Sequence, residues 1–367
     1  MQRLLVSEIT TCIETFAPLQ LQESYDNSGL QVGLSSSSVA AAILSLDITE
    51  EVIDEAIAKG IDMVIAHHPL IFSGIKSLTG ATEVERIVVK AIKNNLCIYS
   101  CHTNLDITAN GVSFMMGQKM GLTNLKVLDP LSNRLQKIVV FVPEAHAQDV
   151  RQAMFDAGAG NIGNYSSCSF SHTGTGSFKA EAGATPFVGQ VDVLHSEPEV
   201  RIEVVCPSYC TGTVLRRMVE VHPYEEVAYD VIPLANTIGN LGLGAVGDFE
   251  EPISIDDFLA VVKNTYRVPC IRYTNAVSKT ISRVAVCGGS GYSLLEKAIS
   301  SGAQAFITGD VKYHNFFDAK GKLMLMDIGH FESEYSSLEI ISSLLKKNFP
   351  NFAVYIAETN SNPINYL

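Results

Sequence analysis

Residues 55–68, EAIAKGIDMVIAHH, align without a gap with residues 297–310, KAISSGAQAFITGD. Residues 96–106, LCIYSCHTNLD, align in the same way with residues 324–334, MLMDIGHFESE. In the first pair of aligned segments, a helical pattern is followed by an apolar strand. In the second pair, an apolar strand is followed by a short polar segment that contains a histidine and a carboxylate. The sequence therefore predicts an internal duplication, with two related lobes that face one cleft.

An imidazole and a carboxylate lie four residues apart at the same place in both halves. His102 precedes Asp106, and His330 precedes Glu334. Residues at this spacing share one face of a helix. A single pair of this kind is commonly a solvated surface pair, but its recurrence after two aligned strands favours a shared chemical site.

A second polar cluster ends the apolar run that comes before each pair. His67 and His68 end the run in the first half, and Asp310 ends the aligned run, where it matches His68. Imidazole nitrogen and carboxylate oxygen are the donors of hard-to-borderline metal sites. The sequence therefore indicates a metal site, and the duplication is consistent with two ions.

Strand and helix patterns alternate at both ends of the chain. Residues 1–128 and residues 240–367 each predict short buried strands joined by amphipathic helices. In the first of these segments, Val52 and Ile53 begin one apolar helical face, and Gly60 follows where a helix commonly ends in a left-handed residue. We predict an α/β fold in which two related lobes pack as one core domain around a dinuclear metal cleft.

Residues 129–239 differ from the two lobes. They contain a strand-and-helix unit twice, KIVVFVPEAHAQDVRQAMFDAG and RIEVVCPSYCTGTVLRRMVEVH, with hairpin-like segments rich in glycine, serine and threonine between them. This pattern indicates an inserted ferredoxin-like α+β domain, and about 110 residues suffice for a separate core. The histidines of this segment lie away from carboxylates at ligand spacing, and we assign no catalytic role to His146, His172, His195 or His222.

Composition limits the partners. The 39 acidic and 26 basic residues give a formal charge of −13, and the absence of a lysine- and arginine-rich run argues against nucleic acid or an anionic membrane as a partner. No apolar run approaches the roughly 20 residues that span a bilayer, and the first residues resemble an amphipathic helix rather than a signal peptide. We expect a cytoplasmic protein whose eight cysteines are free thiols.

Several motifs in one order resemble the family of GTP cyclohydrolase 1 type 2 homologues, also called Nif-three-like dinuclear metal proteins. HPYEEVAYDVIPL (222–234) resembles the inserted domain of the long bacterial members, which is similar to nitrogen-regulatory and copper-tolerance trimeric folds. The motifs of the two lobes are YDNSGLQVG (25–33), HHPLIF (67–72), HTNLD (102–106), GSG (289–291), GDVKYH (309–314) and GHFESE (329–334).

The resemblance implies a set of metal ligands and an assembly. It implies two divalent ions per subunit, with zinc first and manganese, iron or cobalt as alternatives, and a ring-shaped homohexamer arranged as a trimer of dimers or a dimer of trimers. Glu334 would bridge the two ions. The implied ligands are His67, His68, Asp106, His330 and Glu334.

Elementary geometry is compatible with these ligands. Adjacent residues of a regular strand point to opposite faces, but Pro69 restricts His68 and ends the ladder, so both imidazoles can turn into the cleft and serve one ion each. Asp106 would complete the first ion and His330 the second. Five protein ligands on two ions leave positions for water, which is typical of catalytic sites.

Other polar residues near the strand ends remain after this assignment. His102 and Asp310 are candidates for catalytic proton transfer or for support of a ligand or a water molecule. The loop GGSG (288–291) is either an anion-binding loop before a helix or only a tight turn. Lys312 and His314 are either contacts to an anionic ligand or solvated surface residues.

Two functions of different classes follow. The first is a dinuclear metal hydrolase that acts on a nucleotide or a related small molecule, with GTP ring opening as one candidate reaction. The second is a metal-dependent regulatory or scaffold hexamer, in which the inserted domain senses a small molecule or binds a protein partner.

Overall fold

Both ends of the chain build the larger of two structural units. The computed structural model describes residues 3–367. One unit contains the residues up to Asp129 together with Asn240–Leu367, and the other is Pro130–Gly239. The smaller unit therefore interrupts the larger one in the sequence.

The first sheet of the larger unit has five strands. Four neighbouring strands are parallel and the fifth, at one edge, is antiparallel. Across the sheet the strands are Ala353–Ile356, Ala41–Ser45, Met63–Ala66, Cys97–Ser100 and Gly29–Val32.

The second sheet has six strands. Its three central strands are parallel, and antiparallel strands flank them on both sides. Across the sheet the strands are Arg272–Tyr273, Met324–Asp327, Ala305–Thr308, Thr280–Val286, Ile238–Ser254 and Thr123–Leu131. A small pair, Leu4–Leu5 with Ser38–Val39, forms a separate two-stranded sheet.

A layer of helices lies between the two sheets. One core cluster contains residues of four helices together with the inward-facing strand residues of both sheets, such as Met63 and Ile65 of the first and Ala305 and Ile307 of the second. Side chains alternate along a strand, so the intervening Val64 enters a different core on the outer face. The helices of the inner layer are Val6–Phe16, Val112–Lys119, Ile255–Tyr266 and Ser336–Asn348.

Helices also cover the outer faces. Glu50–Ala58 and Glu83–Lys93 cover the first sheet, whereas Leu295–Ser300 and Asn315–Ala319 cover the second. The hydroxyl of Thr49 accepts a hydrogen bond from the Val52 amide at 3.3 Å and caps the first of these helices. Among the helices of residues 3–367, none is long and apolar enough to cross a membrane.

The predicted α/β class is confirmed as a mixed α/β fold with several sheets. The duplication is visible in the helix ends, because Gly60 and Gly302 both follow a helix with positive φ, at 63° and 78°. The sheets do not coincide with the two halves of the chain. Thr123–Leu131 pairs in the second sheet, and Ala353–Ile356 pairs in the first.

The smaller unit contains one antiparallel four-stranded sheet. The chain order is strand, helix, strand, strand, helix, strand, and both helices pack on one face of the sheet over a core of their own. The strands, across the sheet, are Tyr229–Leu234, Leu135–Pro143, Leu194–Pro207 and Phe170–Lys179, and the helices are Ala147–Asp156 and Thr211–Val221. The glycine- and serine-rich segment forms the Phe170–Lys179 strand of a long hairpin.

Candidate metal centre

The polar segments of the duplicated sequence, which contain the predicted site residues, lie at the carboxyl ends of parallel strands. Met63–Ala66 is central in the first sheet and Ala305–Thr308 in the second, and each has a neighbouring strand that leads into a five-residue helix. These two short helices are Thr103–Ile107 and His330–Glu334. The carboxyl ends of parallel strands are the usual place for a site in α/β folds.

Glu334 lies at the centre of the predicted ligands. Its side chain is only 5% exposed, and its Oε2 atom lies 2.9 Å from Nε2 of His68 and 3.0 Å from Nε2 of His330. Its other oxygen, Oε1, lies 3.8 Å from Nε2 of His67. Oδ1 of Asp106 lies 3.7 Å from the same His67 nitrogen. The structure thus places three imidazoles around the Glu334 carboxylate, and Asp106 lies beside one of them.

His67 and His68 both turn into this cluster although they are consecutive. Their ring centroids lie 5.1 Å apart at an interplanar angle of 49°. Their amides still pair with the neighbouring strand end, with Ser45 O at 3.2 Å and Leu46 O at 2.9 Å. The regular strand ends at Ala66, so the alternation of side-chain direction no longer applies to these two residues.

In both His67 and His68, the Nδ1 atom, which faces away from the cluster, has a hydrogen-bond partner. Nδ1 of His67 lies 2.8 Å from the carbonyl oxygen of Cys101, which can only accept, so this nitrogen donates. Nδ1 of His68 lies 2.7 Å from Oδ1 of Asp47. These bonds leave Nε2 of each ring free to face the cluster, as is usual for metal-binding histidines.

Asp310 makes the corresponding contact to His330. Oδ2 of Asp310 lies 2.7 Å from Nδ1 of His330. Asp310 has φ of 55°, a left-handed conformation that aspartate tolerates better than most residues. The preceding Gly309 cannot carry a side chain, because a Cβ there would lie 2.9 Å from the His330 backbone. Asp310, a predicted candidate for proton transfer, therefore orients an imidazole of the cluster.

His102 also faces the cluster, and its hydrogen-bond partner is Asp26. Its ring stands at 79° to that of His67 and at 80° to that of His68, with centroids 5.3 and 5.4 Å apart. Nδ1 of His102 lies 2.8 Å from Oδ1 of Asp26, whose side chain is buried. This hydrogen bond to Asp26 fixes the ring of His102, a residue predicted to transfer a proton or to support a ligand or a water molecule.

The donor set fits a cation. Nε2 of His67 and Oδ1 of Asp106 are buried and have no hydrogen-bond partner among the described residues. Because Nδ1 of a neutral His67 carries the proton, its Nε2 lone pair faces two carboxylate oxygens, an arrangement that only a proton or a cation can relieve. Donor atoms on one tetrahedral zinc ion lie roughly 3.3 Å apart, since the bonds are about 2.0–2.1 Å long.

Two groups of side chains in the described residues could hold a metal ion. One consists of His68, His330 and Glu334, and the other of His67, His68 and His102. Within each group the ligand atoms lie within 4.8 Å of one another. Nε2 of His68 and Nε2 of His330 are 3.3 Å apart, close to the separation that one tetrahedral ion requires.

Burial and charge shift the pKa values in this cluster. Burial alone would raise the pKa of Glu334, but hydrogen bonds from the imidazoles, His330 first, hold that pKa well below its usual range. Burial would lower the pKa of His68, yet Asp47 and Glu334 raise it to about 10. Burial raises the pKa of Asp106 to about 7. Protons thus occupy donor atoms that an ion would need, and ion binding has to displace them.

The glycine loop packs against the cluster. A Cβ on Gly289 would lie 2.1 Å from Oε1 of Glu334, and φ of 62° also favours glycine. The Gly289 amide donates to Ser333 at 2.9 Å and the Gly291 amide to Thr308 at 2.8 Å. The contacts favour the tight turn over the anion-binding loop, because these two amides already bind the loop to the helix and strand that carry the site.

Sequence reasoning missed two carboxylates. Asp26 lies in the YDNSG segment and Asp47 lies two residues beyond the end of the Ala41–Ser45 strand. Asp47 could have been found by its position, since it follows a parallel strand as the other site residues do. Asp26 carries no such signal, because the segment before it forms no strand that ends at the site.

Comparison with known proteins agrees with the mixed α/β fold. The family model Duf34/NIF3 (NGG1p interacting factor 3) matches residues 4–363. A GTP cyclohydrolase 1 type 2 homolog of Halalkalibacterium halodurans is 39% identical over 96% of both chains, and one of Bacillus subtilis is 36% identical over 98% of both. A solved Bacillus cereus protein related to NIF3 matches over all of both chains with a TM-score of 0.83 and 36% identity.

These matches agree with the mixed α/β fold of the chain. The chain belongs to the Duf34/NIF3 family. The resemblance predicted from the motifs is therefore confirmed at the level of the family.

Proposed function

We propose that the protein is a dinuclear metal-dependent hydrolase that acts on a nucleotide or a related small molecule. His67 and Asp106 would hold one ion, and His68 and His330 would hold the other. Glu334 would be a ligand of both ions.

The observation that carries the proposal is the position of the Glu334 carboxylate. Oε2 lies near Nε2 of His68 and of His330, at 2.9 and 3.0 Å, whereas Oε1 is directed to His67. A carboxylate with its two oxygens on two separate donor groups is the arrangement that a bridging ligand has. A single structural ion would leave the pair of His67 and Asp106 without a role.

The donor set favours a borderline divalent ion. Imidazole and carboxylate suit zinc, manganese, iron and cobalt. Cys101, which lies next to the cluster, contributes its carbonyl oxygen to His67, and burial raises the pKa of its thiol far above the usual range. Zinc is the first candidate because imidazole and carboxylate groups are its common ligands and three or four of them suffice for a zinc site.

A pair of such ions lowers the pKa of water and stabilises negative charge on an attacked phosphate or carbonyl group. The protein supplies the positioning. Asp47 and Asp310 hold the rings of His68 and His330 in one orientation. His102 would carry the proton that leaves the attacking water, and Asp26 holds the ring of this imidazole in one orientation. Because Nδ1 of His102 is bonded to Asp26, the proton transfers at the opposite nitrogen.

The substrate class rests partly on the family. The curated relatives carry the name GTP cyclohydrolase 1 type 2 homolog, and that name belongs to them. For this chain we propose a nucleotide or related small molecule as the substrate, with GTP ring opening as one candidate reaction among hydrolyses of phosphoesters and cyclic amides.

The test begins with metal content and ends with turnover. Protein purified without a chelator should contain two divalent ions per chain, measured by mass spectrometry of the dissolved metal. Glu334→Gln should lose both ions, whereas the control Glu332→Gln, on the same short helix, should keep them. The metal-loaded protein is then assayed against nucleotides, phosphoesters and cyclic amides, and inertness toward all three classes would contradict the hydrolase.

A second function is favoured by a cavity in the smaller unit. This cavity has a volume of about 650 Å³ and is lined by Phe178, Phe187 and Tyr224 together with Glu199 and Arg201. It supports a metal-dependent regulatory or scaffold protein in which a ferredoxin-like inserted domain senses a small molecule or binds a protein partner. We propose a homohexamer, as a trimer of dimers or a dimer of trimers, for either function.

Deletion of residues 130–239 distinguishes the two functions. Asp129 and Gly242 are close, since a Cβ on Gly242 would lie 2.1 Å from the Asp129 carbonyl oxygen, so a short glycine linker can join the ends. Metal-dependent turnover that survives in a folded deletion variant supports the enzyme. Loss of partner binding in a protein that never showed turnover supports the regulator.

A further inference from the structure

Besides the cavity of the smaller unit, a pocket lies in the larger unit, at the edge of the second sheet. It has a volume of about 610 Å³, within the range of small-molecule sites. One wall is the edge strand Arg272–Tyr273 with the residues that follow it, and the other is the segment from Tyr313 to Gly321. Neither wall contributes a side chain to the metal centre.

The charge of this pocket is opposite to that of the chain. The chain has a formal charge of −13, yet no aspartate or glutamate lines the pocket, whereas Arg272 and Lys320 do. Arg272 is paired with Asp327. Lys320 forms no ion pair within residues 3–367, so its charge is available to a ligand. This composition favours an anion.

The pocket also presents aromatic rings to solvent. Tyr313 is 71% exposed and Phe317 is 57% exposed, and their ring centroids lie 5.5 Å apart. Phe316 is already covered, because the Arg272 guanidinium lies 5.5 Å from its ring centroid. Exposed aromatic rings grouped at a concave surface are typical of sites that stack a planar ligand.

A hydrogen-bond network joins the pocket to the metal centre. The buried carboxylate of Asp327 accepts hydrogen bonds from the amides of Val311 and Gly329, at 2.9 and 3.0 Å, and pairs with Arg272. Val311 follows Asp310 in the chain, and Gly329 precedes His330. Arg272 in the wall of the pocket is thus connected through Asp327 to the backbone beside Asp310 and His330. The side chains of Asp310 and His330 contact each other at the metal centre.

We propose that this pocket binds the planar ring of a nucleoside phosphate. The ring stacks on Tyr313 and Phe317, and Lys320 attracts the phosphate. The inference deepens the proposed function and rests on it for the role of the ligand as a substrate. Binding itself requires only the pocket, so it can be measured without metal.

The absence of tryptophan from the chain provides a direct measurement. Phe317→Trp places a single fluorophore in the pocket, and Tyr165→Trp places one at a 76% exposed position of the smaller unit. Both variants, freed of metal by chelation, are titrated with guanosine 5′-monophosphate, adenosine 5′-monophosphate and ribose 5-phosphate. We expect saturable quenching of Phe317→Trp by the two nucleotides alone, and no saturable quenching of Tyr165→Trp.

Calorimetry on variants without tryptophan provides the second measurement. Tyr313→Ala should weaken nucleotide binding roughly 5- to 150-fold, because one stacked base contributes about 1–3 kcal/mol, and Tyr313→Phe should retain binding. Lys320→Gln should weaken the nucleotide but not the uncharged nucleoside. Metal content should be the same in all these variants.

Two results would overturn the inference. One is the absence of saturable nucleotide binding in both measurements while the wild-type protein still holds its ions. That result would leave the proposed metal site intact and show that the pocket does not bind the nucleotide ring. The other is a change of oligomeric state in Phe317→Ala, seen by sedimentation, which would assign the exposed rings to a contact with a second copy of the chain. Loss of metal in the wild-type protein would instead contradict the proposed function.

Discussion

Nε2 of His67 lies 3.7 Å from Oδ1 of Asp106, and neither atom has a hydrogen-bond partner among the described residues. Both atoms are buried, and leaving two polar atoms in this state costs about 1–3 kcal/mol each. A cation between them would turn this cost into two coordinate bonds.

Metal binding should therefore stabilise the fold. Metal-free protein is titrated with zinc, and the unfolding temperature is followed by calorimetry. At a free zinc concentration of 100 times the dissociation constant, we expect about 2.7 kcal/mol of added stability for each site. Asp106→Asn should lose the added stability that comes from the ion proposed to bind His67 and Asp106. An unfolding temperature that does not respond to zinc would show that the cluster binds protons only.

Replacement of His102 and of His330 should have different effects. His330→Ala removes a proposed ligand, so we expect the loss of about one ion per chain. His102→Ala should keep both ions and reduce turnover by roughly 10²- to 10⁴-fold, the usual contribution of a general acid or base. Loss of an ion in His102→Ala would instead make this imidazole a ligand beside His67 and His68.

The carboxylates behind the imidazoles should tune metal affinity. Asp47→Ala and Asp310→Ala each free one imidazole to rotate, and we expect metal affinity to fall by about 10- to 100-fold. Asp54→Ala, which removes an exposed carboxylate bonded to Lys90 at 2.9 Å, serves as the control and should leave affinity unchanged. Competition with a chromophoric chelator measures the dissociation constants. Equal affinities in all three variants would contradict an orienting role.

Gly289 should tolerate no side chain. In Gly289→Ala the new Cβ would meet Oε1 of Glu334 at 2.1 Å, so the carboxylate has to move and the ions should be lost. Gly321→Ala is a matched control, because Gly321 also has positive φ, 76°, but no atom within 4 Å of the new Cβ. The control should cost about 1–2 kcal/mol of stability from backbone strain alone and keep its metal. Similar metal loss in both variants would show that strain, not the contact, is responsible.

Acid should release the C-terminal segment from the helix Glu50–Ala58. Glu55 accepts hydrogen bonds from the amides of Glu358 and Thr359, at 3.0 and 2.9 Å. Burial opposes its ionisation, but these bonds and Lys59 lower the pKa of Glu55 to about 2 from an ordinary 4.5. A lowered pKa gives stability that is present above pH about 4.5 and lost as the pH falls towards 2.

Hydrogen exchange of the C-terminal peptide measures this release. Its protection, corrected for the intrinsic rate at each pH, should fall between pH 4.5 and pH 2 in the wild-type protein. Glu55→Gln should show low protection already at neutral pH and little further change with acid. Protection that does not depend on pH in the wild-type protein would show that other contacts hold the segment.

Local patterns predicted most of the elements and the proposed ligands. The four-residue spacing from His330 to Glu334 and the pair His67 and His68 at a strand end were both visible, because each depends on the regular geometry of one helix or one strand. Asp26 was not predictable as a partner of His102, since 76 residues separate the two. The sequence could not decide between an anion-binding loop and a tight turn for GGSG, because the acceptors of its amides, on Ser333 and Thr308, lie in other elements.

The exchange of strands between the sheets sets the order in which the protein can mature on the ribosome. The first sheet lacks its outermost parallel strand until Ala353–Ile356 has been synthesised, within the last 15 residues of the chain. His67 and His68 are synthesised more than 260 residues before Glu334. A nascent chain therefore holds only part of the candidate site until the helix His330–Glu334 has been synthesised.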